Sequence, residues 1–154
     1  DSPDTPDEPD TPAAQIFGTV KITADGHLLV NDSFYLSTTE FFNVVPASAT
    51  PSGDAASYAA SYKEGDLTDW HIPTMDEAKA LREALACTSP YYTDEGTEVL
   101  PKLNKALTEL DLDGLYREWY LCDDANYVFD FITGDEIKKA SKSKKYRLRL
   151  TRSK

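Results

Sequence analysis

The strongest chemical signal in the sequence is a run of basic residues near its C-terminal end. Residues 136–154 carry nine Lys and Arg residues and one acid, Glu136, for a net charge of +8, whereas the rest of the chain sums to −19. A local basic segment attracts anions, with an affinity that salt screening weakens. We therefore predict a ligand-binding surface for a sulfated or acidic polysaccharide, formed by Lys138, Lys139, Lys142, Lys144, Lys145, Arg147 and Arg149.

The same basic residues have a second interpretation. Lysine is common on exposed strands, where its charge prevents edge-to-edge pairing, so the segment could be a charged hairpin tip that binds nothing. Both interpretations stay open at this point. Nucleic acid is not the expected partner, because the remaining surface is acidic and no aromatic residue lies between the lysines.

Thiol and imidazole groups are few and widely spaced. Cys87 and Cys122 could form one disulfide in an exported protein or remain two buried thiols, and sequence cannot show whether their Cβ atoms face each other. His27 and His71 lie far apart, and the chain has no Cys-x-x-Cys or His-x-x-x-His spacing. We expect no metal site and no cofactor.

An acid pair is the remaining candidate for catalysis. Asp123 and Asp124 are adjacent, but no Ser or Cys in the sequence has a visible base partner. We therefore do not expect an enzyme. Convergence of these acids with a histidine in a deep cavity would reopen that question.

Residues 69–77 are the stretch that organises the predicted fold. Pro73 disfavours a helical conformation at the residue before it, and Thr74 followed by Glu77 is a capping-box pattern, so a helix should begin at Met75. The following leucines and alanines recur at helical spacing and predict one buried face. Trp70, four residues before the cap, is interpreted as a core residue near the helix entrance.

The remaining elements follow from periodicity and turn residues. An Ala-rich helix ending at Gly65 and a third helix near Pro101 are predicted. Strands are predicted over residues 16–22, 28–30, 34–36, 41–45, 127–132 and 146–152, the last from alternation of apolar and basic residues. Residues 24–27 carry the turn chemistry for a hairpin into Leu28. Residues 1–13 are acidic and Pro-rich and predict a disordered tether, which leaves one domain over residues 14–154.

With these elements in place, the chain resembles the C-terminal domain of Lcl-type collagen-like adhesins, a family of bacterial exported proteins in the C-type lectin-like superfamily. The matching stretches are residues 65–78, 119–122, 128–134 and 146–150. They contain the residues to which the resemblance assigns structural roles: Trp70, Pro73, Thr74, Glu77, Trp119, Phe131 and Gly134. His71 stands where the family usually has Arg, and the calcium ligands of sugar-binding lectins have no counterpart.

The resemblance implies an α+β, C-type lectin-like fold with two or three helices packed on a twisted, mainly antiparallel sheet. It also implies a non-catalytic binding or adhesion module at the cell surface or in the periplasm, recognising a glycan or another surface protein. We expect an exported protein, anchored as an outer-membrane lipoprotein through its N-terminus, and no transmembrane segment, because no apolar run approaches about 18 residues. The alternative function is a structural or accessory subunit of a surface appendage.

Overall fold

A computed structural model describes residues 13–46, 54–86, 99–116, 118–131 and 137–154. These residues form an α+β structure with three helices, α1 (Ala55–Ser61), α2 (Met75–Leu85) and α3 (Val99–Glu109), and two five-stranded sheets rich in antiparallel pairs. The α+β class and the number of helices are confirmed. The predicted tether lies outside the described residues, except for Ala13.

The first sheet is antiparallel throughout. Its strands, in spatial order, are β1 (Gln15–Phe17), β2 (Val20–Ile22), β3 (Leu28–Val30), β4 (Phe34–Leu36) and β10 (Thr151–Ser153). The prediction of one strand over residues 16–22 is wrong, because Gly18 adopts φ +62° and turns the chain between β1 and β2. The predicted hairpin turn before Leu28 is confirmed, with Gly26 at φ +87°.

The second sheet is mixed. Its strands, in spatial order, are β5 (Phe41–Val44), β9 (Tyr146–Leu148), β6 (Tyr120–Cys122), β7 (Tyr127–Phe129) and β8 (Lys138–Lys139). The β6 and β9 strands are parallel, whereas the other neighbouring pairs are antiparallel. The sheet is buried on both faces at its centre, because Tyr120 and Leu121 are both fully buried but belong to different apolar clusters.

The C-terminal segment passes from one sheet to the other. A single strand over residues 146–152 was expected from its alternating pattern, but β9 lies in the second sheet and β10 lies in the first. The residues between the two strands, Arg149 and Leu150, are 1% and 0% exposed. The alternation therefore ends where the chain crosses between the sheets, and both of these neighbouring side chains are buried.

Two apolar clusters form the core. The larger one joins the first sheet to α2, α3 and one face of the second sheet, and includes Leu81, Leu103 and Phe129. The smaller one lies against the other face of the second sheet and includes Trp70, Val128 and Leu148. Trp70 is thus a core residue as predicted, but it packs in the smaller cluster rather than with the leucines of α2.

The predicted start of α2 is confirmed. The hydroxyl of Thr74 accepts a hydrogen bond from the amide of Glu77 (3.1 Å), and the Glu77 carboxylate accepts one from the amide of Thr74 (2.9 Å). The first helix, α1, is capped by Asp54 and ends at Ser61, four residues before the predicted Gly65. The third helix begins at Val99, two residues before Pro101.

Candidate functional site

A cleft of about 750 Å³ lies on the surface of the second sheet and contains most of the predicted ligand-binding residues. Its cationic lining residues are Lys138, Lys139, Lys144, Lys145 and Arg147, and its acidic one is Glu118. The lining therefore has a formal charge of +4, on a chain whose net charge is −11. This contrast makes the cleft a local anion-attracting region on an otherwise acidic protein.

Aromatic residues also line the cleft. Trp119, Tyr146 and Phe42 contribute ring surfaces, and the Nζ atom of Lys138 lies 4.5 Å from the centroid of the Trp119 ring. Lys138 and Val128 are register partners in β8 and β7, and Val128 in turn pairs with Leu121, so the three side chains share one sheet face. In such a cleft, the aromatic side chains can contact the rings of a sugar polymer, and the neighbouring cationic side chains can contact its anionic groups.

Phe42 reaches the surface because β5 is irregular. The pairing of β5 with β9 shifts register between Phe41 and Val44, and Asn43 adopts φ +52°. Phe41 turns inward and stacks on Tyr58 with ring centroids 4.6 Å apart, whereas Phe42 is 52% exposed. A bulge of this kind redirects one side chain out of the regular alternation.

Arg149 does not belong to the surface, which corrects its expected role in ligand binding. Its Nε donates to Glu40 Oε1 (3.0 Å), and its Nη atoms donate to the carbonyls of Ser37, Asp113 and Gly114 (2.6 Å each). The side chain is 1% exposed. Crossing between the sheets carries it inward, where a buried carboxylate pairs with its charge.

Lys142 is exposed but does not line the cleft. The alternative interpretation of this segment as a charged hairpin tip is also corrected, because β8 and β9 are separated in the sheet by β7 and β6. Residues 140–145 therefore cross the width of two strands rather than forming a tight hairpin tip. The crossing brings Ser141, Lys144 and Lys145 to the cleft from a different direction than Lys138 and Lys139.

A second polar cluster joins the start of α2 to the C-terminal strand. Glu77 Oε1 accepts from the Thr74 amide (2.9 Å) and the Thr151 hydroxyl (2.7 Å), and it lies 2.9 Å from His71 Nε2. The hydrogen bond to Glu77 raises the pKa of His71 despite partial burial. Burial alone would raise the pKa of Glu77, but its hydrogen bonds outweigh burial and lower it. The groups that bind Glu77 come from the segment before α2 and from β10, so we interpret the cluster as structural.

A third carboxylate, Glu64, has a similar structural role. It accepts from the Thr38 amide (2.8 Å) and the Tyr62 hydroxyl (2.6 Å), and it lies 2.6 Å from His27 Nδ1. Burial and the hydrogen bond to Glu64 raise the pKa of Tyr62 to about 12. The two histidines therefore belong to separate glutamate clusters and do not meet.

Asp123, Asp124 and the histidines line neither the cleft nor a second cavity of about 400 Å³ beside Ile16 and Leu29. These two acids occupy the turn between β6 and β7 with φ near +55°, which is a conformation that Asp tolerates in turns. Within the described ranges, no group of three or more His, Cys, Asp or Glu residues is arranged to hold a metal ion.

Cys122 is a buried free thiol on β6. Burial raises its pKa to about 12, so it is protonated at neutral pH and is a poor nucleophile. Cys87, with which Cys122 could form a disulfide, lies outside the described residues. Gly134 also lies outside the described residues. Phe131 is buried in the larger cluster. Pro73 is buried, and its carbonyl accepts a hydrogen bond from the Asp123 amide (2.7 Å).

Four residues around the site were missed by sequence reasoning: Glu40, Phe42, Tyr116 and Glu118. The dipeptide of Phe41 and Phe42 was available as a signal, since two adjacent large apolar residues cannot both face inward from a regular strand. Nothing in the sequence marks Glu40, which lies more than 100 residues from the two arginines that it binds.

No protein-family model, curated protein or solved structure matches this chain. The resemblance to the Lcl-type family and the C-type lectin-like assignment therefore stay predictions. In the part of the chain that the structure describes, none of the helices has the length and apolar character needed to cross a lipid bilayer.

Proposed function

We propose that the protein is a non-catalytic binding module for an acidic polysaccharide, displayed at the cell surface or in the periplasm by an exported protein. The observation that supports the proposal is the cleft, where five cationic side chains and three aromatic rings surround one continuous concavity. Rings stack on the apolar faces of sugars, and the cations attract carboxylate or sulfate groups. The fold resemblance adds the expectation of export and of anchoring through the N-terminus.

The alternative role, as an accessory subunit that accepts a partner strand, has less support. Strand addition needs a long, accessible sheet edge for main-chain hydrogen bonds. The edge strands here are only two to four residues long, and β8 at one edge consists of two exposed lysines. Charged, short edges resist strand addition.

Heparin is a suitable probe for the proposed function. We expect it to bind at an ionic strength of about 0.1 M, where the Debye length is about 10 Å, and to dissociate near 1 M, where it is about 3 Å. Replacing the four cleft lysines (Lys138, Lys139, Lys144 and Lys145) with Gln removes four exposed contacts of about 0.2 to 1 kcal/mol each. Affinity should then fall roughly 4- to 900-fold.

A matched control keeps the total charge equal. Lys63, Lys79, Lys102 and Lys142 are exposed and do not line the cleft, so their replacement with Gln gives the same net charge as the cleft variant. We expect the control to bind heparin nearly as well as the unmodified protein. Equal losses in the two variants would show that the protein binds by net charge alone and would refute the proposal.

A further inference from the structure

Arg147 differs from the other cations of the cleft because its guanidinium is fixed between two aromatic rings. Its Cζ atom lies 4.6 Å from the centroid of Phe42 and 4.9 Å from that of Tyr116. These two rings are 52% and 46% exposed, and they are two of four large apolar side chains that are exposed among the described residues. An exposed ring is unfavourable in water unless it has a partner, and here both rings share the same one.

The guanidinium is also held from below. Its Nη1 donates to Glu40 Oε2 (2.5 Å), and the Glu40 side chain is fully buried. Glu40 in turn accepts from the Tyr120 hydroxyl (2.7 Å) and from Arg149 Nε (3.0 Å), so it cannot move without breaking a buried network. Arg147 is thus anchored to the protein interior, whereas a lysine on an exposed strand retains the freedom of four rotatable bonds.

Part of the guanidinium remains available for a ligand. Arg147 is 24% exposed and lines the cleft, and within the described ranges its Nε and Nη2 donate to no protein group. An arginine with one nitrogen anchored and the others free can still bind a pair of anionic oxygens. The fixed position means that little conformational entropy is lost on binding.

We propose that Arg147 is the specificity-determining residue of the cleft and binds one carboxylate or sulfate group of the ligand through its free nitrogens. This inference rests on the proposed function of the cleft and assigns different roles to its cations. The lysines attract acidic polymers in general, and Arg147 selects those that carry an anionic group at a fixed position. Phe42 and Tyr116 are positioning residues, since they hold the guanidinium in place.

Two uncharged substitutions test the positioning role without disturbing the buried network, and Tyr116→Ala is the cleaner of the two, because Tyr116 does not line the cleft whereas Phe42 does. Phe42→Ala and Tyr116→Ala each remove one exposed ring and leave every charge in place. Heparin affinity should fall about two- to fivefold for each, the size expected for an exposed cation–π contact. Leu110→Ala is the matched control, because Leu110 is exposed, does not line the cleft and should leave affinity unchanged.

Arg147→Lys tests the geometry of the charge. It preserves the charge but loses the planar arrangement of donors, so affinity should fall while the dependence of binding on salt stays the same. The four-lysine variant, in contrast, should reduce the salt dependence. If binding depends only on diffuse charge, none of the three substitutions at Phe42, Tyr116 and Arg147 changes affinity, and the inference is wrong.

A direct readout separates this inference from the proposed function. The side-chain Nε–H resonances of arginine can be followed by NMR while inorganic sulfate or glucuronic acid is added. We expect a saturable shift of the Arg147 resonance, much reduced in Phe42→Ala. A shift without heparin binding would refute the polysaccharide function and support the arginine site. Lysine-dependent heparin binding with an unmoved Arg147 resonance would support the polysaccharide function and refute the arginine site. No response in either experiment would refute both.

Discussion

Replacement of Arg149 by Met should be among the most destabilising single changes in the protein. The side chain is 1% exposed and donates to four acceptors, of which one is the buried carboxylate of Glu40 and three are main-chain carbonyls. Met has a similar length and no donors. The substitution therefore leaves the carbonyls of Ser37, Asp113 and Gly114 without this partner and removes half of the positive charge around Glu40.

The magnitude follows from the cost of breaking a buried ion pair. Removing one partner typically lowers the free energy of unfolding by about 3 to 5 kcal/mol, because the other charge stays buried. Arg147 and the Tyr120 hydroxyl still contact Glu40, which favours the lower part of this range. For a domain of this size, 1 kcal/mol corresponds to roughly 2 to 4 °C in the melting temperature, so we expect a decrease of about 6 to 12 °C.

Urea unfolding followed by tryptophan fluorescence measures this change, because Trp70 and Trp119 are buried and half-buried. Lys142→Met is the control, since it replaces an exposed basic residue of the same segment and should change stability by less than about 0.5 kcal/mol. Adding Glu40→Gln to Arg149→Met should recover part of the loss, because the buried Glu40 carboxylate is then replaced by a neutral amide. A loss below about 1 kcal/mol for Arg149→Met would refute the reasoning.

Three further predictions concern other parts of the molecule. The raised pKa of His71 stabilises the fold below the ordinary value of 6.5, and the lowered pKa of Glu77 stabilises it above 4.5, so the pair should contribute most to the free energy of unfolding between these two values. Urea titrations across pH measure this contribution. In His71→Gln, the decrease in the free energy of unfolding that His71 causes above pH 6.5 should be absent. Gly18→Ala should lower the free energy of unfolding by about 1 to 2 kcal/mol, and by more than Gly26→Ala. Both glycines have positive φ, but of the two only Gly18 would place the new Cβ against another side chain, 3.2 Å from Val99. Equal losses in the two variants would contradict this prediction. Glu118→Gln should strengthen heparin binding measured by calorimetry, because it removes the acidic group among the lining residues, and an unchanged affinity would argue against a ligand in the cleft.

Features that depend on nearby residues could be predicted from the sequence. The start of α2 rests on Thr74 and Glu77, which are three positions apart and make the two hydrogen bonds expected of them. The turn before Leu28 likewise depends on its own residues: Gly26 adopts φ +87°, and the amides of Gly26 and His27 donate to Thr23. In both cases the chemistry that fixes the structure lies within one turn of chain, so pattern and structure agree.

The sheet topology could not be predicted in the same way. The basic residues of β8 and β9 are close in sequence, and one of the two interpretations places them at a hairpin tip. The parallel pairing of β6 with β9 instead places two strands between them. That arrangement is decided by which apolar faces pack together over distances of many residues. The cleft is a product of this crossing, so its lining could be predicted only in part, from the local concentration of charge.

The different roles of Arg147 and Arg149 show why a repeating pattern is insufficient to assign function. Residues two apart in an extended chain point to the same side, and both guanidinium groups do reach the same carboxylate, Glu40. Arg147 lies within β9, beside the cleft, and its side chain is 24% exposed. Arg149 lies after the end of β9, where the chain turns toward β10, and its side chain is buried. The pattern predicted a shared direction correctly, but exposure depends on what covers that side. The segments that cover Arg149, residues 37–40 and 113–114, lie 35 or more residues earlier in the chain. One arginine is therefore part of the core and fixes Glu40, and this fixed carboxylate in turn holds the other arginine in the lining of the cleft.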